Sequence, residues 1–530
     1  MQQYDYIVIG SGFGGSVSAM RLSEKGYSVA VLEKGREFQA KDFPKTNWSI
    51  RKYLWAPLIK CFGFQKITFF RRVMILSGTG VGGGSLVYAN TLMFPPDEFF
   101  NNKVWSRFED WKSVLSPFYK TAGFMLGVAS NPWSHKADKV LREVAKDLGK
   151  EDSAENVKVG VYFGDTNKQV DPYFSGLGPL RSGCTSCAGC MVGCRYNAKN
   201  TLDKNYLFFA KKFGAKIFPK TLVKKIEFKN DQYYIHTERT GSWFFKKRNI
   251  FQSRGVVFSG GVLGTMDLLL KQKYQYQTMP NISDKLGENI RTNSEMLCGI
   301  TTKNTKMNEG VAISSIMNPD KDTHVEICKY PNGSSFMKLL TLPYVNFSKT
   351  PTRFFRSLGK IILHPLEFFK MYLFTPWAEN SVIFLIMQHL DSSMKMSLKR
   401  WPFSRLVLED SQKVPAFIPS GANVMERYAK KVDGFAQSAF PEMFDIPATA
   451  HILGGNPMGK DASEGVVSPQ FELFNYPNAY VLDGSIVPCN IGVNPSFTIT
   501  ALSEYAMSNI PAKEGNQLKS LNQLISEQSV

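Results

Sequence analysis

The clearest pattern of apolar and polar positions lies near the start of the chain. Residues 7–9 (IVI) are apolar and β-branched, which predicts a strand. Apolar side chains then recur at helical spacing at Val17, Met20 and Leu22, and residues 29–32 (VAVL) form a second apolar run. The pattern predicts a strand, a helix and a second strand, as at the start of an α/β domain.

The turn between the first strand and the helix reads GSGFGG and matches G-x-G-x-x-G. Gly10 permits a tight turn, Gly12 lets the backbone approach a pyrophosphate, and Gly15 lets the helix pack closely on the strand. Gly14 completes the predicted cofactor turn, and Glu33, which ends the second strand, is placed to bind ribose hydroxyls. A glycine turn without a ligand would not need two flanking strands and an acid at the end of the second strand. The motif predicts a dinucleotide site without distinguishing NAD from FAD.

A second glycine-rich segment, SGTGVGGGS, occupies residues 77–85. Glycines at this density let backbone N–H groups approach a ligand closely. The alternative is a flexible linker, but the flanking stretches VMIL and LVYANTLMF have the pattern of ordered structure. We therefore predict a cofactor loop, contacting the cofactor through Gly78, Gly82, Gly83 and Ser85.

A third candidate segment lies near the C-terminus. The strand-like run AYVLDG ends in Asp483 and Gly484, and GVNP precedes a stretch with helical spacing, SFTITALSEYAMSNI. Asn494 is the predicted N-cap of that helix and Pro495 its first residue. Since a helix N-terminus favours negative charge, this one suits the N1–C2=O edge of a reduced flavin.

Length and charge narrow the class of protein. A chain of 530 residues exceeds what one hydrophobic core usually supports, so two or more domains are expected. The 64 Lys and Arg outnumber the 45 Asp and Glu, and the net charge of +19 favours anionic partners. The chain has no compact basic run and no recognisable nucleic-acid module, so we expect no nucleic acid partner.

The N-terminal region and the cysteines predict a cytoplasmic protein. The first apolar run is already a predicted strand, without the charged region and cleavage site of a secretory signal. No stretch reaches eighteen uninterrupted apolar residues, so a membrane-spanning helix is not expected. Four of the eight cysteines are scattered and suggest reduced thiols, namely Cys61, Cys298, Cys328 and Cys489.

Two segments mix basic and aromatic residues in a way that suits a membrane surface. Residues 347–376 read FSKTPTRFFRSLGKIILHPLEFFKMYLFTP, and Pro365 divides them into halves too short to span a bilayer. Residues 48–72 have the same character. Two interpretations of these segments remain open. Each is either an interfacial helix in peripheral contact with the inner membrane surface or an ordinary amphipathic helix packed on the protein. The basic residues of the first segment are Lys349, Arg353, Arg356, Lys360 and Lys370.

The other four cysteines lie together in CTSCAGCMVGC, with the spacing C-x2-C-x2-C-x3-C. Four thiolates suffice to bind an iron–sulfur cluster or a zinc ion. Bacterial ferredoxins have this spacing, but a proline follows it there, whereas Arg195 follows it here. Metal ligation and free thiols therefore remain alternatives for Cys184, Cys187, Cys190 and Cys194.

Taken together, the motifs resemble the glucose–methanol–choline (GMC) oxidoreductase family, and within it the bacterial cholesterol-oxidase-like branch. The matching stretches span residues 4–510 and read GSGFGGSVSAMRL, GTGVGGGSLVYAN, DPYFSGLGP, CTSCAGCMVGCRYNAKNTLDKNYL, SGGVLGT, HILGGNPMG and VLDGSIVPCNIGVNPSFTITALSE. The resemblance implies FAD, bound by a Rossmann-type α/β (α+β) domain assembled from discontinuous segments, and a substrate domain built on an antiparallel sheet.

This resemblance also implies a division of the chain. The expected FAD-binding domain comprises residues 1–45, 74–95, 196–295 and 445–515. The expected substrate-binding domain comprises residues 96–195 and 296–444. Residues 46–73 are expected to form a lid over the substrate entrance, and residues 516–530 a C-terminal tail.

The site residues that the resemblance implies are few. The histidine of HILGG and the asparagine of GVNP, here His451 and Asn494, would face the flavin and bind the substrate oxygen. A glutamate before a hydrophobic strand, here Glu379 in WAENSVIFL, would act as the base. Asn90 would contact the flavin edge, and the backbone of Val223 would hold adenine.

The expected activity is oxidation of a hydroxyl group on a sterol or another bulky hydrophobic alcohol, with hydride transfer to flavin N5 and electrons passing to O2. Two alternatives remain open. One is a dehydrogenase that uses the same residues but a different electron acceptor. The other is a flavin-binding, membrane-associated protein without catalysis.

Overall fold

A computed structural model describes residues 1–242, 247–346, 350–390, 392–399, 405–410 and 415–528. Its strands, β1 to β23, are in order Gln2–Ile9, Val29–Leu32, Trp55–Ala56, Cys61–Phe62, Gln65–Phe69, Met74–Gly78, Val128–Ser130, Glu155–Asn156, Lys158–Gly160, Lys216–Phe218, Thr221–Lys229, Gln232–Arg239, Arg248–Phe258, Met296–Thr301, Ile313–Met317, Thr323–Cys328, Thr341–Pro343, Ser381–Gln388, Met394–Lys399, Arg405–Asp410, Phe435–Ala439, Ala448–Thr449 and Ala479–Val481. Its α-helices, α1 to α13, are Phe13–Glu24, Ile50–Tyr53, Asp97–Phe100, Trp111–Met125, Lys136–Asp147, Tyr206–Lys212, Gly261–Leu270, Thr350–Leu363, Pro365–Phe369, Trp377–Asn380, Pro419–Lys431, Ser496–Ser508 and Leu521–Gln528.

The first sheet is of the Rossmann type. Its order is β10-β2-β1-β13-β12-β11, and β23 also pairs with β13. Strands β10, β2, β1, β13 and β23 are parallel, and Ile7 of β1 lies between Ala30 and Val256. Because both faces of such a sheet are covered, the inner half of β1 is apolar at consecutive positions. Strands β11 and β12 extend the sheet as an antiparallel meander, which confirms the predicted α/β architecture.

The second sheet has seven strands in the order β17-β21-β14-β18-β16-β15-β8. Its neighbouring strands are antiparallel, as predicted for the substrate domain. Alternate side chains of a strand point to opposite faces. Met296, Val325 and Phe384 therefore belong to a core shared with α5 and α11. Their neighbours along the strands, such as Leu297 and Leu385, line a cavity on the other face.

The predicted lid segment, residues 46–73, contains helix α2 and strands β3, β4 and β5. Strands β5 and β6 pair antiparallel, and β22 joins β6. Tyr53 and Phe64 are fully buried and share a small aromatic core with Tyr330 and Trp377.

No described helix is long and apolar enough to cross a membrane. Lys349, one of the basic residues of the first membrane-type segment, lies outside the described residues. The domain boundaries stay a prediction.

Candidate active site

A cavity of about 1180 Å³ lies between the first sheet and the open face of the second. One end is formed by the glycine turns and the other by apolar side chains of the second sheet, and His451 also lines it. Most of the predicted cofactor residues line this cavity, namely Gly10, Gly12, Gly14, Glu33, Gly78, Gly83, Val223, Asp483, Gly484, Asn494 and Pro495. Gly15, Gly82, Ser85 and Asn90 pack behind this lining.

The glycine turns meet at the N-terminus of α1. A Cβ added to Gly14 would lie 1.8 Å from the carbonyl oxygen of Leu482, and one added to Gly83 would lie 2.6 Å from the Cα of Gly12. A Cβ on Gly12 itself would meet no atom within 4 Å. The packing therefore needs glycine at positions 14 and 83, whereas Gly12 faces open space beside the helix N-terminus.

Glu33 closes this end of the cavity. One of its carboxylate oxygens, Oε2, accepts hydrogen bonds from the backbone N–H and the hydroxyl of Ser11, at 3.2 and 2.8 Å. The other, Oε1, accepts from the backbone N–H of Gly35 at 2.8 Å. These bonds hold the carboxylate at the end of β2, where the fingerprint predicts an acceptor for ribose hydroxyls.

Five polar side chains converge at the reaction end. Nδ2 of Asn494 donates to Oε2 of Glu326 at 3.3 Å and lies 3.5 Å from Nε2 of His451. Nδ1 of His451 pairs with Oε1 of Glu295. Nδ2 of Asn293 lies 3.3 Å from the same nitrogen and donates to the carbonyl of Val493 at 2.8 Å. Since Nδ1 faces a carboxylate, Nε2 is the ring nitrogen that faces the cavity.

The buried carboxylates control the charge of His451. Burial alone lowers the pKa of this imidazole, but the charge of Glu295, the hydrogen bond that the imidazole donates to Glu295 and the charge of Glu326 together raise it. Both glutamates are fully buried. The net effect stabilises the imidazolium form, in which Nε2 can donate a hydrogen bond to an oxygen that binds beside Asn494.

Asn494 differs from its predicted local role. Helix α12 begins at Ser496, and the residue in the capping position is Pro495 rather than Asn494. The Asn494 side chain turns instead toward Glu326 and His451, and its Oδ1 is buried without a hydrogen-bond partner among the described residues.

The far end of the cavity is apolar. Strands of the second sheet contribute side chains from their cavity face, and the segment after β16 adds an aromatic ring. These residues are Leu297, Ile313, Cys328, Ile383 and Leu385 from the sheet, with Tyr330, Met337 and Met191 beside them. Such a lining suits a bulky hydrophobic ligand.

Comparison with known proteins agrees with this geometry. The family model of GMC oxidoreductases matches residues 415–503, and that of NAD(P)-binding Rossmann-like domains matches residues 8–44. A cholesterol oxidase of Acinetobacter baumannii is 44% identical over 96% of this chain and 95% of its own. A cholesterol oxidase of Mycobacterium tuberculosis is 43% identical over 96% of this chain and 91% of its own. The chain belongs to the GMC oxidoreductase family.

More distant relatives of this GMC oxidoreductase agree in fold. A long-chain-alcohol oxidase of Arabidopsis thaliana is 26% identical over 97% of this chain and 68% of its own. The crystal structure of pyridoxine 4-oxidase from Mesorbium loti superposes with a TM-score of 0.60 over 95% of this chain and 99% of that one, at 14% identity. At that identity the likeness shows the fold alone.

Membership in the family implies FAD as the cofactor of this oxidoreductase, which acts on CH–OH donors. Two observations show that the residues present fit this group. Gly12 leaves open space beside the N-terminus of α1, where a pyrophosphate is stabilised. Asn90 and Asn494 have buried side-chain atoms without partners among the described residues, and Ala89 and Thr91, the neighbours of Asn90, line the cavity. The individual cofactor contacts stay predictions.

The structure does not bring Glu379 to the active site of this GMC oxidoreductase. Glu379 belongs to the short helix α10, residues 377–380, and is not among the residues that line the cavity. Its Oε1 accepts from the backbone N–H of Gly333 at 2.8 Å. Glu326 and Glu295 are the carboxylates at the site, and both were missed. The signal for Glu326 is an acid between apolar residues in the strand-like run HVEIC, and the signal for Glu295 is an acid directly before the apolar run MLCGI.

The cysteine cluster does not support the iron–sulfur or zinc interpretation. Among the described residues, no group of three or more His, Cys, Asp or Glu side chains is placed to hold a metal ion. Cys184, Cys187, Cys190 and Cys194 are free thiols. Burial raises the pKa of Cys184 and Cys187, and it raises that of Cys190 to about 11 although Lys199 opposes the change.

Proposed function

We propose that this protein is an FAD-dependent sterol oxidase, which converts the hydroxyl of a sterol or similar bulky hydrophobic alcohol to a ketone and passes the electrons to O2. The observation that carries the proposal is one continuous cavity with a dinucleotide end, a polar cluster at His451 and Asn494, and an apolar end. The names of the two bacterial relatives, both cholesterol oxidases, support the substrate class and the oxygen acceptor.

The polar cluster holds the alcohol oxygen. We infer that Nε2 of His451 and Nδ2 of Asn494, 3.5 Å apart, both donate to it. FAD, when bound, supplies the acceptor for the hydride that leaves the carbinol carbon. The imidazolium of His451 stabilises the negative charge that develops on the oxygen, and Glu295 offsets the imidazolium charge.

The hydroxyl proton needs an acceptor, and we assign that role to Glu326. Glu326 thus replaces Glu379, for which the family resemblance implied the role of base. Cys328, two residues along β16, lines the cavity, so Glu326 belongs to the same face of the sheet. Its Oε2 lies 3.3 Å from the Asn494 amide nitrogen, so an oxygen bound there is within reach directly or through one water.

A matched pair of variants tests this assignment. Anaerobic mixing of the FAD-bound protein with cholesterol should bleach the flavin, and air should restore the colour with one H2O2 per turnover. E326Q should slow bleaching about 10²- to 10⁴-fold, the usual range for a lost acid–base group. E379Q, whose carboxylate lies outside the cavity lining, should bleach at the original rate.

No bleaching of the unaltered protein by cholesterol or another hydrophobic alcohol would refute the proposed function. Equal slowing in both variants would refute the role of Glu326.

We further propose that the protein works in the cytoplasm, in peripheral contact with the anionic inner surface of the membrane, from which it takes its substrate. The free state of all eight cysteines suits a reducing compartment. Helix α8 supports the membrane contact because two of its polar side chains face inward while large apolar side chains face outward. Arg353 and Ser357 are buried and donate to the carbonyls of Glu442 and Pro343, at 2.8 and 2.9 Å.

The opposite side of α8, with α9 and residues 370–374, exposes apolar side chains to solvent. The most exposed are Phe355, Ile362, Leu363, Leu366, Leu373 and Phe374, each at 66% or more. An amphipathic helix packed on the protein would have the reverse orientation. We call these six residues the apolar surface of α8 and α9, and we assign it to a lipid bilayer.

A further inference from the structure

Strand β16 carries a row of three side chains on its cavity face. Residues 324, 326 and 328 alternate with Val325 and Ile327, which lie in the opposite core. Cys328 lines the cavity, Glu326 lies behind Asn494, and His324 continues the row away from the cavity. The row therefore leads from the reaction end toward the turn between β15 and β16.

Hydrogen bonds connect this row to the surface. Nε2 of His324 lies 3.2 Å from Oε1 of Glu326, and its Nδ1 lies 2.9 Å from Oδ1 of Asn318. Glu326 is 0% exposed and His324 is 7% exposed, whereas Asn318 is an exposed residue of the turn. Because an amide oxygen and a carboxylate are both acceptors, this geometry suits a His324 imidazolium that donates from both nitrogens.

We propose that Glu326 and His324 form a proton-exchange pair, through which proton uptake at the buried carboxylate is matched by proton release to solvent at Asn318. The inference rests on the proposed function. Glu326 Oε2 takes the proton of the alcohol hydroxyl and becomes neutral. His324, having lost its charged partner, releases its Nδ1 proton to water beside Asn318. The pair changes from one negative and one positive charge to two neutral groups, so its net charge is conserved.

The return half of the cycle also balances. Reduction of O2 to H2O2 needs two electrons and two protons, one of which arrives with the hydride. Glu326 supplies the other proton, and His324 takes one back from solvent. An apolar substrate that fills the cavity blocks direct exchange between Glu326 and bulk water, which is why an exit through the sheet is useful.

Other titratable groups at this end do not provide the same path. His389 lies close to His324 and Asp322, and its ring packs on Gly492, where an added Cβ would lie 1.8 Å from Cε1. Burial lowers the pKa of His389, although Glu98 acts in the opposite direction. This favours a neutral ring. His324 is the histidine that bonds both to Glu326 and to an exposed residue.

The test counts protons. The FAD-bound protein is mixed anaerobically with cholesterol in weak buffer containing a pH indicator, and flavin bleaching and proton appearance are followed together. The unaltered protein should release one proton per flavin in step with bleaching and take it up when air is admitted. H324Q should bleach about tenfold or more slowly, the low side of acid–base effects, and release no proton in that phase. H236Q is the matched control, because His236 also pairs with a glutamate on a strand, at 3.5 Å from Glu227.

A second variant keeps the inference testable if H324Q does not fold. N318L removes the outer acceptor without touching the cavity, and it should delay proton appearance behind bleaching. Proton release in step with bleaching in either variant overturns the proton-exchange pair alone. Failure of the unaltered protein to bleach overturns the proposed function and this inference with it.

Discussion

Contacts with residues that lie far away in the sequence raise the pKa of His451. Glu295 precedes it by more than 150 positions and Glu326 by more than 120, yet both carboxylates reach its ring or its immediate surroundings. Asn293 packs against the same ring nitrogen as Glu295. The imidazole is thus oriented on one side and left free on the other, which is what a hydrogen-bond donor to substrate requires.

Replacing Glu295 by Gln should move the alkaline limit of flavin reduction to lower pH. Because the folded-state pKa of His451 is raised, its imidazolium and the stability it contributes are complete below the ordinary pKa and are lost as pH rises through the raised one. E295Q keeps the shape of the side chain but removes the charge, so the loss begins at lower pH. Bleaching rates with cholesterol and thermal midpoints, each measured against pH, check this.

The control for E295Q is E37Q, which changes an exposed carboxylate that pairs with Lys211 on the surface. Its pH profile should follow that of the unaltered protein. A profile of E295Q that coincides with both would show that Glu295 does not hold the charge on His451.

The sequence predicted part of this cluster and missed the rest for a physical reason. The resemblance to the family implied His451 and Asn494 through the stretches HILGG and GVNP, and both residues line the cavity. Glu326 lies inside a fully buried strand, where its neighbours have the pattern of core residues. Only the packing of β16 against the loop before α12 shows that this acid has a polar partner.

Among the larger elements, the two glycine turns form one unit. Gly83 approaches the Cα of Gly12, and the Ser11 hydroxyl oxygen lies 3.2 Å from the carbonyl oxygen of Gly80 and accepts from the backbone N–H of Gly82 at 3.1 Å. The strand–turn–helix order was predictable from local spacing. The contact between the turns was not, because it depends on how β6 reaches the first sheet.

Alanine substitutions at Gly14 and Gly12 should affect different properties, fold stability in the first case and FAD binding in the second. G14A places a Cβ 1.8 Å from the Leu482 carbonyl oxygen, so it should destabilise the fold by about 1–3 kcal/mol or more. G12A meets no protein atom within 4 Å, so it should keep the thermal midpoint of the FAD-free protein. It should nevertheless weaken FAD binding by about tenfold or more, equivalent to ~1.4 kcal/mol.

Calorimetric melting of the FAD-free proteins and fluorescence titration with FAD separate these two effects. Unchanged FAD affinity in G12A would show that the open space beside Gly12 is not the cofactor cradle. A stable G14A would show that the backbone around Leu482 can move away from the helix.

The sequence predicted the helix in residues 347–376 but not its orientation on the protein. The basic and aromatic pattern of residues 347–376 indicated a helix, but it could not tell which side faces the protein. The structure resolves this through Arg353 and Ser357, which bond to main-chain carbonyls at the end of β17 and near α8. Glu379 does precede the hydrophobic strand β18, as the sequence indicated, but it lies in the short helix α10.

Contacts between side chains connect the apolar surface of α8 and α9 to the cavity. Met337 lines the cavity, and its neighbour Lys338 donates to the carbonyl of Tyr372 at 2.7 Å, beside the apolar surface of α8 and α9. On the other side, Phe336 contacts Trp48 at 5.8 Å between ring centroids, at the edge of the predicted lid. Leu58 and Ile59 of that lid are also largely exposed. Residues 336–340 therefore lie between both candidate membrane contacts and the substrate end.

Reversing the character of the apolar surface should separate membrane binding from catalysis. Leu363 and Leu366 are 75% and 84% exposed, so the double variant L363D/L366D should leave folding and FAD content intact. Burial of a leucine contributes about 1.5–3 kcal/mol, so loss of two partly inserted side chains should weaken binding to vesicles by about tenfold or more. Sedimentation with phosphatidylglycerol vesicles measures this directly, and added salt should weaken binding because the protein carries a net charge of +19. Oxidation of cholesterol presented in those vesicles should fall in parallel, whereas oxidation of detergent-solubilised cholesterol should not.

L518D, at a half-exposed leucine in the C-terminal tail, is the matched control and should bind vesicles as the unaltered protein does. Equal vesicle binding by L363D/L366D and L518D would show that the bilayer does not cover this surface.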